Sequence, residues 1–291
     1  MKKELCIIFL MLIFNYSFGQ QLTGLYGVYL HQTPPGDTPQ LFAPGIVSIE
    51  NSNEHCLAVS PKGDEMFFTT GTWPNSIIMH VKENGDKWGK PEPATFLKND
   101  WATQPAFSPD GQFLYFSSSR KETDIRLYSI WRCKKMANGW SEPENVINMD
   151  GDLIMLFHPS IDSSGSVYFL RFDYPNQTGD LYVAKASGDM LCDSVKLDSP
   201  ISTEFNEVRP TVDPQGRYLL YVSDRPDGYG GKDVYVCYRN ADGTWSVPQN
   251  LGSELNTPGN DDVPTISPDA TYWFFEKDGN IYWRESPLNP R

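Results

Sequence analysis

The sequence predicts an all-β protein: a five-bladed β-propeller of four-stranded antiparallel blades, closed by an N-terminal strand that completes the last blade. Three observations predict it. A hairpin motif recurs five times, roughly fifty residues apart. A second motif, an aromatic strand followed by a turn and a Trp-Pro segment, recurs between the hairpins. The last unit ends one strand short, while a lone strand-like segment stands near the N-terminus.

The first element in chain order is a leader. Residues 1–19 open with Lys2 and Lys3, run through an apolar stretch and end on the small residues Ser17 and Gly19. That pattern predicts a secretory signal peptide cleaved near Gly19 or Gln20, too short in its apolar run to span a bilayer. Residues 20–291 are then expected to form one exported domain, periplasmic or secreted.

The hairpins follow. They read "CLAVSPKGDEMFFTT" (56–70), "QPAFSPDGQFLYFSS" (104–118), "HPSIDSSGSVYFLRF" (158–172), "RPTVDPQGRYLLYVS" (209–223) and "VPTISPDATYWFFEK" (263–277). Proline presets φ at an early turn position, Asp bonds its own following backbone, and Gly accepts positive φ. Beyond the turn, alternate residues face opposite sides of the sheet. Both sides are apolar or aromatic here, as expected where one sheet stacks on the next.

The second motif supplies two more strands per unit. It is clearest in "RLYSIWRCKKMANGWSEPENVINMD" and "DVYVCYRNADGTWSVPQNLGSELN"; the third unit keeps the strand and loses the Trp. Each unit thus has strands A, B, C and D, with A innermost. The blades are expected at about 51–99, 100–149, 153–203, 204–257 and 258–291. The last stops after "GNIYWRE", and residues 38–50, "TPQLFAPGIVSIE", are expected to supply its missing strand. An open solenoid would need capping repeats, and none is evident.

Composition agrees and restricts the partners. Aromatic residues make up 13% of the chain, and Gly and Pro number 23 each, which suits short strands and tight turns. The formal charge of −13 becomes one unit more negative once Lys2, Lys3 and Glu4 are cleaved away. Nucleic acid and anionic membrane surfaces are therefore poor partners. No membrane insertion is expected after cleavage, and a ring that buries its own edges is expected to be a monomer. Cys56, Cys133, Cys192 and Cys237 lack any CxxC spacing and leave disulfide formation open.

"FSPDG" with its following aromatics and "SDRPDGYGGKDVYV" before "GTWSVPQNLGSELNT" resemble the TolB-type WD40-like propeller repeat, over about residues 27–285. The resemblance implies the fold. It leaves the function open, since such repeats serve scaffolds, sensors and accessory domains.

Candidate site residues follow from propeller geometry, in which the D–A and B–C loops gather at one channel mouth. The residues before each strand A are Glu54, His55, Gln104, His158, Glu207, Arg209, Asp261 and Asp262; the B–C loop ends add Arg120, Arg171, Asp224 and Arg225. Together they form a polar ring of both charge signs, suited to a protein, peptide or glycan. His55 and His158 with carboxylates could in principle hold a metal, but no ligand spacing supports one. No GxSxG elbow or HExxH is present, and nothing points to a cofactor. The expected function is a non-catalytic exported binding propeller. The alternative is a lyase or glycoside hydrolase using carboxylates of the same ring.

Overall fold

Every unit is organised by the same turn. The N–H groups of Gly63, Gly111, Gly165 and Gly216 donate to the carbonyls of Ser60, Ser108, Asp162 and Asp213, each at 2.8 Å. These glycines have φ of 70°, 70°, 79° and 73°, the left-handed region that lets a type I turn close a hairpin. The fifth copy does the same with Ala270, whose N–H donates to Ser267 at 2.8 Å from a φ of 59°. The residue that opens the turn also fastens the next strand. Ser108 Oγ accepts from Phe113 N at 2.9 Å and donates to Asp110 at 2.6 Å. In the divergent third unit Asp162 takes over, accepting from Ser164 N at 2.9 Å. "DSSG" therefore preserves the turn that "SPDG" makes.

The computed structural model describes residues 28–85, 87–98, 100–119, 127–148 and 153–288. Its strands form five blades. Strands A, B and C are Glu54–Val59, Glu65–Thr70 and Ile77–Asn84 in the first blade, and Ala102–Phe107, Phe113–Ser118 and Ser129–Met136 in the second. In the third they are Ile154–Ile161, Val167–Asp173 and Thr178–Ala184, and in the fourth Glu207–Val212, Tyr218–Ser223 and Asp233–Tyr238. The fifth has Thr265–Ile266, Tyr272–Lys277 and Asn280–Glu285. Neighbouring strands within each blade are antiparallel, and short D segments pair outside strand C. The leader expected at residues 1–19 lies outside the described residues. Among those described, no helix is long and apolar enough to cross a membrane.

The ring closes with the N-terminal segment. Gln40–Leu41 pairs antiparallel with strand C of the fifth blade, Gln40 opposite Trp283 and Leu41 opposite Tyr282. Ser48 extends the join: its hydroxyl donates to Ile281 O at 3.0 Å and accepts from Ile281 N at 3.1 Å. The seam is aromatic. Phe42 meets Trp283 edge-on at 5.3 Å, Phe274 stacks on Trp283 at 6.1 Å, and Trp283 is fully buried. Tyr29 and Leu30, upstream of the expected closing strand, join the same cluster.

The recurring Trp holds one blade to the next. In the second blade Lys135 lies 4.6 Å over the Trp140 ring and forms an ion pair with Glu65 of the first blade. In the fourth, Arg239 lies 4.2 Å over Trp245 and reaches Asp162 of the third blade at 3.4 Å. A cation at the end of strand C, clamped between its own indole and a neighbour's carboxylate, couples a dispersive contact to an ionic one.

Candidate functional site

Four of the five A strands carry a bulge at one equivalent place. Their registers shift between His55 and Ala58, Thr103 and Ala106, Phe157 and Ser160, and Val208 and Thr211. In each, one non-glycine residue is left-handed: Cys56 at φ 52°, Gln104 at 59°, His158 at 54° and Arg209 at 57°. Three of these precede a proline, which a bulge accepts because no ladder N–H is required there. A left-handed L-residue costs roughly 1–2 kcal/mol, and such strain gathers at binding sites. Here four strained residues from four blades converge on one end of the channel.

They line a cavity of about 470 Å³ together with His55, Thr103, Trp73, Phe172, Lys232 and Glu276. Below it, a narrower space of about 110 Å³ is walled by strand A residues of all five blades, among them Leu57, Pro105, Pro159, Pro210 and Thr265. The wide cavity is therefore a mouth above a constricted channel.

The hydrogen bonds at the mouth determine a protonation state. Gln104 Oε1 accepts the backbone N–H of His158 at 2.9 Å, which fixes the amide's orientation. Its Nε2 then faces His158 Nε2 at 2.9 Å and donates to it. His158 Nε2 is an acceptor, so the ring is neutral with its proton on Nδ1. Burial, with the charge of Arg209 and the nearby His55, holds the His158 pKa well below the usual histidine value. His55 is lowered too, by burial, against the opposing charge of Glu276. Gln104 is anchored from the first blade by Thr69, whose hydroxyl accepts from Gln104 N at 3.0 Å. Arg209 forms an ion pair with Asp262 across the fourth and fifth blades. Burial and the Glu276 carboxylate raise the Cys56 thiol well above its ordinary value, so it is protonated.

The structure thus brings together His55, Gln104, His158 and Arg209, with Asp262 as the partner of Arg209. Other sequence candidates are placed elsewhere. Glu207 is fully buried and accepts from Thr203 N at 3.1 Å and Arg225 Nη2 at 3.2 Å. Arg225 also lies 4.8 Å over the Tyr235 ring. Glu54 is buried beneath Ile49, whose N–H reaches its Oε2 at 3.4 Å. Asp224 holds Asn206 N at 2.9 Å, and Asp261 holds Thr257 N at 2.8 Å. Arg171 sits within strand B opposite Leu156 and does not line the mouth. Arg120 lies outside the described residues. Among those described, no group of three or more His, Cys, Asp or Glu is arranged to hold a metal ion.

Trp73, Phe172 and Lys232 are mouth residues that the sequence did not single out. All three lie at or near B–C loops, so propeller geometry was the available signal. The glycine-rich "RPDGYGGKD" is a folded turn. Asp233 accepts from Tyr229 N at 2.5 Å and Gly230 N at 3.1 Å. A Cβ on Gly230 would lie 2.3 Å from the carbonyl oxygen of Thr257, so only glycine fits that approach.

No protein-family model matches the chain, and no curated protein matches it in sequence. Solved structures share its fold. The chain is similar to a protein described as TolB from Agrobacterium tumefaciens, with a TM-score of 0.52 and 16% identity over 76% of this chain and 69% of that one. It is similar to a thermostable family-43 glycoside hydrolase, with a TM-score of 0.54 and 14% identity over 85% and 92% of the two chains. An endo-arabinase from Bacteroides thetaiotaomicron gives a TM-score of 0.54 and 12% identity over 84% and 98%. At these identities the similarity is one of fold.

Proposed function

We propose that this chain is an exported, non-catalytic binding propeller that takes an uncharged polar ligand, best a glycan, at its channel mouth. The observation that carries the proposal is the Gln104–His158 pair. It supplies a neutral imidazole, its proton on Nδ1, in the wall of a preformed cavity. A neutral donor suits a sugar hydroxyl. Charge at the mouth is balanced, with Lys232 and Arg209 against Glu276 and Asp262. Trp73 is half-exposed and offers a flat apolar face of the kind on which a pyranose ring packs.

The alternative, glycoside hydrolysis or lyase chemistry, needs carboxyl groups converging on the scissile bond, about 5–9.5 Å apart in glycosidases. Of the carboxylates named for it, Glu207, Asp261 and Asp262 are committed to other contacts, and Glu54 is buried away from the mouth. Glu54 and Glu207 are buried, Asp261 holds Thr257, and Asp262 holds Arg209. This favours binding over turnover.

A thermal-shift screen against neutral oligosaccharides, acidic oligosaccharides and short peptides tests the proposal. A neutral oligosaccharide should raise the melting temperature of the wild type, with the shift lost in His158→Ala and Trp73→Ala. Peptide-only shifts would replace the glycan with a peptide partner. Release of reducing ends or unsaturated products on incubation would establish the enzymatic alternative.

A further inference from the structure

The repeat departs from itself at one exposed position beside the mouth. Each strand A can be read back from the residue before its proline, or from Cys56 in the first blade. Three residues earlier stand Asn53, Trp101, Met155, Asn206 and Asn260, in blade order. The asparagines tie loops together. Asn53 Nδ2 donates to Gly71 O at 3.0 Å, and Asn206 Oδ1 accepts from Gly179 N at 2.8 Å. Asn260 Oδ1 packs on Gly231, where a Cβ would stand 2.5 Å from it. Met155 is buried. Trp101 follows neither pattern. It is 37% exposed, and among the described residues its indole makes no hydrogen bond or ring contact.

Its backbone is nonetheless fixed. Ser118 Oγ donates to Trp101 O at 2.8 Å, and the next residue, Ala102, donates its N–H to Ser76 O at 3.2 Å. Ser76 lines the mouth and ends the loop that carries Trp73, which is 49% exposed and likewise without hydrogen bond or ring contact among the described residues. Two open indoles thus stand on adjoining segments. Trp73 lines the mouth. Trp101 does not, and it precedes Gln104 by about 10 Å of extended chain. Neither segment carries a charge: residues 71–76 read "GTWPNS" and residues 101–107 read "WATQPAF", in a chain of formal charge −13.

We infer that Trp101 is an outer platform for the ligand of the mouth, which is therefore an oligosaccharide longer than the mouth itself and running from it over the seam between the first and second blades. The inference rests on the glycan reading of the mouth. An exposed indole held on a fixed backbone is a contact surface, and tryptophan anchors such surfaces more than most residues. The C–H face of a sugar ring is apolar and flat enough to cover it. A charge-free strip of hydroxyls and amides suits a neutral chain and gives a charged peptide nothing to pair with. A ligand that reaches both indoles must be longer than one that fills the mouth alone.

Calorimetric titration with cello-, malto-, xylo- and manno-oligosaccharides, each from a single ring to a hexamer, tests the inference. Affinity should rise with length past the rings that the mouth holds. Trp73→Ala should weaken every member that binds. Trp101→Ala should leave the shortest binding member as in the wild type and weaken the longest about tenfold, the scale of one truncated aromatic contact. Trp101→Asn, which installs the residue of the first, fourth and fifth blades, should do the same and serves if the alanine variant folds poorly. Long-chain binding unchanged in whichever variant folds, or an equal loss at every length, would overturn the inference and leave the glycan reading of the mouth standing. Binding of no sugar at any length, or of peptides alone, would overturn both.

Discussion

Gln104 grips His158 at two points, taking its backbone N–H on Oε1 and donating to its ring on Nε2, each at 2.9 Å. Both residues are left-handed, and they come from adjacent blades. The pair therefore joins two strained backbones through one fixed tautomer. Protonating His158 would set two donors against each other. Because the folded pKa is lowered, the unfolded chain binds the proton first. Stability should be full above the unfolded value of 6.5 and fall as pH drops below it. The slope cannot exceed about 1.4 kcal/mol per pH unit for each such histidine. Urea melts between pH 7.5 and 5 should show this loss, and His158→Gln combined with His55→Gln should flatten it.

A second acid dependence belongs to the first seam. Burial raises the Glu65 pKa, but hydrogen bonds from His80 and Lys135, with the Lys135 charge, outweigh it and bring the carboxyl to about 2. This contribution is present above the unfolded value of 4.5 and is lost as pH falls from there toward 2. It is on the order of 2–3 kcal/mol. Glu65→Gln should lower stability at pH 7 by that order and leave a difference from wild type of under about 1 kcal/mol near pH 2.5, read as denaturant midpoints.

The indole of the same latch can be tested separately. Trp245 packs edge-on against Tyr168 at 6.0 Å and under Arg239 at 4.2 Å. Trp245→Ala should cost about 2–4 kcal/mol, short of the fully buried limit. A double-mutant cycle of Trp245→Ala with Arg239→Met should return a coupling of about 0.5–1 kcal/mol.

The fifth turn is the one copy without its glycine. Ala270 is buried at φ 59°, where the other four turns have Gly. Ala270→Gly removes roughly 1–2 kcal/mol of left-handed strain and loses about 0.4–1 through the freer unfolded chain. The net expectation is a gain of about 0.5–1 kcal/mol, visible as a higher melting temperature.

None of the four described cysteines is in a disulfide. Cys192 is exposed, whereas Cys133 and Cys237 are buried and Cys56 is raised by burial. A thiol reagent should modify Cys192 rapidly in the native protein, and Cys133 and Cys237 only on unfolding. Rapid native reaction of the two buried thiols would contradict the packing of the blades.

The fold was legible because its signals are local and repeated. "SPDG" encodes the turn through Ser, Pro and Gly, and even "DSSG" keeps it, since Asp162 does the work of the serine. The closing strand was legible because residues 38–50 had no partner of their own and the last blade lacked one. Other features rest on contacts distant in sequence. Tyr29 reaches the closing seam from outside the repeat. Lys135 meets Glu65 only when two blades stack. Glu54 and Glu207 resembled mouth residues because they begin strand A, but a strand's first residue faces inward or outward according to the bulge that follows. The one sequence signal of that bulge was the proline that follows Gln104, His158 and Arg209, since the four left-handed residues share no side-chain chemistry and none is glycine.

These strained residues hold a neutral donor, ready-made, at the channel mouth. A long-range ¹H–¹⁵N spectrum of the His158 ring at pH 7 tests this. The expected ring is neutral and protonated on Nδ1, stays neutral as pH falls somewhat below 6.5, and has shifts that move when a bound oligosaccharide fills the mouth. A ring protonated on Nε2, or a charged imidazolium at pH 7, would contradict it.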